Sequence, residues 1–177
     1  MKKLYRDDIV TARKFCNSSR YIDDLFSADF SDFGDHLPHI YPPELELTKS
    51  NNDDLRVDYL DLRIVSDNNS LNFSLYDKRD AFNFEVVNFP FLDSCIPRKP
   101  ALGVYYGQLI RIARICTKFE DFYERTRALS GKLLRQGYKH RELLKLTVKF
   151  FRVRSDLIDK YHVSDINTFL HRVIFGN

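Results

Sequence analysis

Asp23 and Asp24 are adjacent carboxylates set among apolar neighbours in Arg20-Tyr21-Ile22-Asp23-Asp24-Leu25-Phe26, a stretch rich in strand-forming residues. Neighbouring side chains on a strand point to opposite faces, so this pair would ordinarily bury one charge. A tight turn, a bound divalent cation, or both relieve that cost. The chemistry open to two such carboxylates is oxygen ligation of a metal ion. Asp7-Asp8 and Asp53-Asp54 are also adjacent acids, but they lie in polar, loop-like sequence without aromatic or aliphatic flanks. His36 and His39 make a weaker metal pair with no further ligand nearby.

A second set of side chains suits a polyanion. Arg141, Lys145, Lys149 and Arg152 recur at four, four and three residues, which places them on one face of a helix. Leu143, Leu146, Phe150, Leu157 and Tyr161 mark the apolar face of the same run. Arg111, Arg114 and Lys118 repeat the basic pattern earlier in the chain. Such stripes meet phosphate backbones or simply face solvent. Tyr105, Tyr106 and the phenylalanines at 82, 84, 89 and 91 are able to stack on bases, although dense aromatics more often pack an irregular core. Asp61, beside Tyr59 and Leu62, suits a structural hydrogen-bonding role.

The elements that must carry these residues change in character near Pro100. Before it, residues 9–16 and 20–28 read as strand-like runs around Asn17-Ser18-Ser19, with a hairpin placing Asp23-Asp24 near its tip. Asp32 to Ile40 reads as a short helix stopped by Pro42-Pro43. Glu44-Leu45-Glu46-Leu47 alternates like a half-exposed strand. Val57 to Val65 and Leu71 to Tyr76 read as a hairpin turning at Asp67-Asn68-Asn69, and residues 80–100 as an irregular connection. Beyond Pro100, helical spacing runs through Ala101 to Thr117, Glu120 to Gln136, His140 to Tyr161 and Ser164 to Phe175. Gly137 ends the second helix and Ser164-Asp165 caps the last. The fold class expected is α+β: a small antiparallel sheet with hairpins followed by a helical bundle.

Charge divides along the same line. Residues 1–96 carry 11 Lys and Arg against 18 Asp and Glu, a balance of −7, whereas residues 97–177 carry 17 against 7, or +10. An acidic half joined to a basic half suits a metal-binding site next to a polyanion track. With 177 residues, 44% hydrophobic and 14% aromatic, the chain has the apolar content of a folded protein. Cys16, Cys95 and Cys116 lack metal-ligand spacing and suit reduced thiols. The basic start has no apolar stretch after it, and no run approaches a bilayer span. The expectation is an intracellular protein of nucleus or cytoplasm that makes no membrane contact.

Arg20-Tyr21-Ile22-Asp23-Asp24-Leu25 contains the Tyr-x-Asp-Asp signature, and further segments follow it in order: Tyr59-Leu60-Asp61-Leu62, Leu75-Tyr76-Asp77-Lys78-Arg79, Ile96-Pro97, Tyr106 to Cys116, and Arg135-Gln136-Gly137-Tyr138. With these segments the chain resembles the carboxy-terminal part of a retroelement reverse transcriptase, most like the Penelope-like group. The resemblance implies that residues 1–96 are part of the palm, with residues 15–27 as its catalytic hairpin and residues 57–78 as the hairpin supporting the primer end. Residues 97–177 would be the helical thumb. It also implies an RNA-directed DNA polymerase that uses two Mg²⁺ ions, an RNA template and deoxynucleotides. Asp23 would be the shared ligand, Asp24 a weaker ligand or shaper of the local field, and Tyr21 part of the catalytic motif. Arg111, Arg114, Lys118, Arg141, Lys145, Lys149 and Arg152 would contact the RNA–DNA duplex. Reverse transcriptases need another palm aspartate and fingers, for which the 22 residues before Asp23 are too few, so this chain alone is expected to be catalytically incomplete. The alternatives are a non-catalytic nucleic-acid-binding module or a decayed retroelement relic.

Overall fold

The computed structural model describes residues 8–67, 70–84 and 86–162. The chain is α+β, with two small antiparallel sheets and a bundle of helices, and it divides into two compact units, Met1–Asn52 and Asp53–Asn177. The division falls well before the compositional break at 96/97, because the second sheet packs with the helices: its last strand contacts the first two long ones.

In the first unit, helix α1 (Ile9–Lys14) continues as a 3₁₀ turn, Phe15–Asn17. The strand expected over residues 9–16 is therefore a helix. Ile9, Val10 and Thr11 favour strands, yet the Asp8 carboxylate accepts the Val10 and Thr11 amides at 3.0 Å, an N-cap that outweighs their propensity. The Thr11 hydroxyl donates to the same carboxylate and, with those amides, holds Asp8 below the usual carboxylate range. Strands β1 (Ser18–Tyr21) and β2 (Asp24–Ser27) form a hairpin in the register Tyr21↔Asp24, Arg20↔Leu25. Helix α2 (Phe33–Ile40) follows as expected and closes over an aromatic cluster. Phe15, almost fully buried, meets Phe30 edge-on at 4.9 Å and His36 at 5.7 Å. Glu44 to Leu47 is irregular and exposed rather than a strand. Alternation alone does not make a strand without a partner ladder to satisfy its amides.

In the second unit, β3 (Arg56–Tyr59), β4 (Leu62–Asp67) and β5 (Ser70–Leu75) make a meander in the order β3-β4-β5. The run read as one strand over 57–65 is broken by a two-residue turn at Leu60-Asp61. A second 3₁₀ turn, Lys78–Ala81, begins at Asp77, whose side chain accepts the Arg79 amide. The Arg79 guanidinium grips the same carboxylate at 2.7 and 2.9 Å and holds it below its ordinary value of 3.8. A depressed folded value stabilises the fold above the unfolded value and loses that contribution as pH falls through the folded one. The melting difference between the parent and Asp77→Asn is thus expected to be largest near neutrality and to shrink below pH 3.8.

Helices α3 (Arg98–Ile115), α4 (Phe119–Arg135), α5 (His140–Val153) and α6 (Asp156–Tyr161) complete the unit. Helix α3 starts three residues earlier than expected. Pro100 falls in its first turn, where a missing N–H costs nothing. Its buried residues Ala101, Tyr105, Leu109 and Ile112 keep helical spacing and face Phe122, Thr126, Leu129 and Leu133 of α4 and Leu143, Thr147 and Phe150 of α5. At the centre the fully buried Tyr105 hydroxyl bonds Thr147 Oγ1 at 2.8 Å and Ser130 Oγ at 3.2 Å, tying the three helices by one polar knot.

The helix expected over His140 to Tyr161 breaks at Arg154-Ser155. Arg154 forks onto Asp156 at 2.8 and 2.7 Å, and α6 turns back over the end of α3. There Lys160 Nζ donates to the Ala113 and Cys116 carbonyls at 3.1 and 2.8 Å, and the Tyr161 hydroxyl donates to Cys116 at 2.8 Å. These are the carbonyls that a helix C-terminus leaves open. The helix expected over Ser164 to Phe175 and its cap lie outside the described residues, as do Asp7 and most of the Asp67-Asn68-Asn69 turn. No helix among the described residues is long and apolar enough to cross a membrane.

Candidate nucleic-acid interface

The α4–α5 connection sets the geometry of the interface. Gly137 adopts φ +87° immediately after α4, the Gly137 amide donates to Leu134 at 3.1 Å, and the Tyr138 amide donates to Leu133 at 3.1 Å. This is the paired closure of a Schellman motif, with Tyr138 buried against the helix it ends. Lys139 then leads directly into α5. Two helices are thereby joined by four residues, Gln136 to Lys139, and both pack on α3.

Burying Leu143, Thr147, Phe150 and Phe151 turns the opposite side of α5 to solvent. Arg141, Lys145, Lys149 and Arg152 all lie there, exposed, as their spacing requires. Arg141, Lys145 and Arg152 make no ion pair among the described residues, and Lys149 rests over the Tyr106 ring at 6.0 Å. The cations of α3 and α4 are treated differently. Arg111 is bound by Asp61 at 2.6 Å, Arg125 pairs with Asp80, and Lys132 lies 3.5 Å from the same carboxylate. Arg98, at the start of α3, pairs with Glu142 at 2.5 Å. Acids from the sheet and its 3₁₀ turn neutralise these inner cations, while the row of four on α5 has no acid partner among the described residues. Arg114 and Lys118 are exposed at the far end of α3 and at the cap of α4. The structure therefore gathers four of the seven basic candidates on one helix face and withdraws Arg111 from the set. Asp61, read as a structural hydrogen-bonding residue, is the partner that withdraws it, an ion pair between residues far apart in the chain.

The same acids and bases line a cavity of about 290 Å³ between the sheet and helices α3 and α4, in which five basic side chains face three aspartates. Aromatic placement is mixed. Tyr105 is core and Phe89 packs against it, but Phe82, Phe84 and Phe91 are exposed rather than buried.

In the first unit, Ile22 and Asp23 form the β1–β2 turn, so neither carboxylate of the pair is buried: Asp23 occupies the turn and Asp24 opens β2 opposite Tyr21. Arg20 Nε donates to the Ile22 carbonyl at 2.9 Å and its guanidinium lies over the Tyr41 ring, fixing the turn from the inside. Ile22 has φ +52°, and Leu60 in the matching Tyr59-Leu60-Asp61 turn has φ +54°. A left-handed conformation costs an L-residue roughly 1–2 kcal/mol, and a β-branched side chain is a clear outlier there. Ile22 is 72% exposed, so little burial offsets that cost. Ile22→Asn is expected to stabilise the hairpin by about 1 kcal/mol, read as slower amide exchange across Ser18–Ser27.

For magnesium, the test is the donor set. Among the described residues no three His, Cys, Asp or Glu side chains gather as a metal site. Asp23 and Asp24 do not by themselves constitute a two-metal centre. His36 is packed against Phe15 and Phe30.

Comparison with known proteins adds one likeness. No curated protein and no solved structure matches the chain. Residues 92–148, which span α3, the α4–turn–α5 pair and the basic face as far as Lys145, match the model of the family described as Animal helix-turn-helix domain.

Proposed function

We propose that the second unit is a non-catalytic nucleic-acid-binding module that grips duplex DNA through α5. The observation carrying this reading is the uncompensated row Arg141, Lys145, Lys149 and Arg152, set on the second helix of a helix–turn–helix pair. In helix-turn-helix proteins the second helix enters the major groove while the first crosses the backbone. B-form DNA admits a helix there, whereas the A-form groove is too deep and narrow. The contacts are electrostatic, so affinity is broad in sequence and falls with salt. The experiment is a titration of the full chain against a DNA duplex and an RNA–DNA hybrid of one sequence at low salt. Tighter binding to the DNA duplex supports the reading, and no binding to either overturns it.

A second reading is favoured by the strained Tyr21-Ile22-Asp23-Asp24 turn. Its exposed carboxylates at a hairpin tip support the resemblance to reverse transcriptases, in which the helices would serve as a thumb on RNA–DNA duplex. Preference for the hybrid would favour it. Under this reading the chain alone gives no Mg²⁺-dependent primer extension on an RNA template. Extension with deoxynucleotides that is abolished by Asp23→Asn would reinstate a complete enzyme.

A further inference from the structure

Phe82 and Phe84 are stacked, with ring centroids 5.2 Å apart and planes within 6° of parallel, yet they are 50% and 64% exposed. Two parallel rings left in water present flat aromatic faces, and the partner that matches such a face is another flat ring. The segment just before them, Asp77 to Asp80, forms one wall of the cavity where basic side chains outnumber aspartates five to three. Lys78 on that wall is exposed and makes no ion pair among the described residues. The Phe82 amide donates to the Arg79 carbonyl at 3.2 Å, which ties the Phe82 backbone to the end of that wall. Arg79, Arg111, Arg125 and Lys132 are paired with the three aspartates, so an apolar protein segment laid on the rings would leave Lys78 without compensation. A nucleotide satisfies both features, its base on the rings and its phosphate beside Lys78.

We propose that Phe82 and Phe84 are a stacking platform for an unpaired base of a nucleic-acid strand flanking the bound duplex. This rests on the duplex-binding reading above and adds to it a preference for duplexes that carry a single-stranded extension. Stacking is tolerant of base identity, so no sequence preference accompanies it.

The test compares a blunt DNA duplex with the same duplex bearing a short thymidine overhang, both titrated with the full chain. The overhang is expected to tighten binding about 5- to 100-fold. The double substitution Phe82→Ala, Phe84→Ala is expected to remove that gain and leave blunt-duplex affinity unchanged. No gain in the parent, or a gain that survives the double substitution, overturns the proposal. The chain contains no tryptophan, so Phe84→Trp supplies a single fluorescent reporter at the platform. Quenching by a thymidine oligonucleotide supports stacking even if the blunt duplex is not bound, which separates this proposal from the reading it rests on. Emission unchanged by the oligonucleotide overturns the proposal. Concentration-dependent self-association that the double substitution abolishes also overturns it, by assigning the rings to a second copy of the chain.

Discussion

Replacing Arg141, Lys145, Lys149 and Arg152 together by glutamine is expected to weaken duplex binding about 100-fold or more at 50 mM salt, with melting almost unchanged. The four side chains point away from the core and none holds another element by an ion pair among the described residues, so their loss costs the fold little. Affinity, in contrast, is expected to rest on them, because the helical cations near the sheet are already paired with Asp61 and Asp80. A matched control is Arg111→Gln, which removes a cation that a carboxylate already neutralises. Its effect on affinity is expected to be several-fold at most.

Phe150→Ala is expected to do the reverse. Phe150 is fully buried on the same helix and touches the rings of Tyr106, Phe122 and Phe151 at 5.8, 6.4 and 5.4 Å. Truncating such a ring removes its transfer energy and leaves a cavity, a cost of about 3–5 kcal/mol. The melting temperature should fall by roughly 10–20 °C. Lys145→Gln, on the solvent face, should move it by no more than a degree or two. Below the lowered transition the Phe150→Ala chain is expected to keep most of its duplex affinity, since every interface cation remains. The two substitutions thus separate what folds α5 from what it presents.

The features legible in the sequence were those fixed by local periodicity. The helices after Pro100 and the basic stripe on α5 follow from the recurrence of Leu143, Phe150 and the four cations. The hairpin tip at Asp23 followed from an acidic pair that no buried strand tolerates. Where a cap overrides propensity, the pattern misled: Ile9-Val10-Thr11 spells a strand until Asp8 closes a helix around it. The Leu60 turn had no sequence cue because it uses neither glycine nor asparagine at its positive φ. The break at Arg154 follows from what α6 must reach, the open carbonyls at the end of α3, which is a tertiary demand.

The charge division was visible, but not its full meaning. Part of the acidic excess before residue 97 exists to neutralise basic residues after it: Asp61 on Arg111, Asp80 on Arg125 and Lys132. Distance along the chain hides such pairs from any local reading. In the sequence Gly137 signals only a helix stop. Its Schellman closure also sets the angle at which α5 leaves α4, and so makes the two a unit.

The most direct measurement is the salt dependence of duplex affinity for the parent chain and the four-glutamine variant. Four phosphate contacts give a slope of log K against log salt of about −3.6, or roughly a 150-fold loss between 50 and 200 mM salt. The variant should show a much shallower slope at whatever weak binding remains. A parent slope near zero, or a steep slope that the variant retains, would contradict the assignment of α5 as the surface that grips nucleic acid.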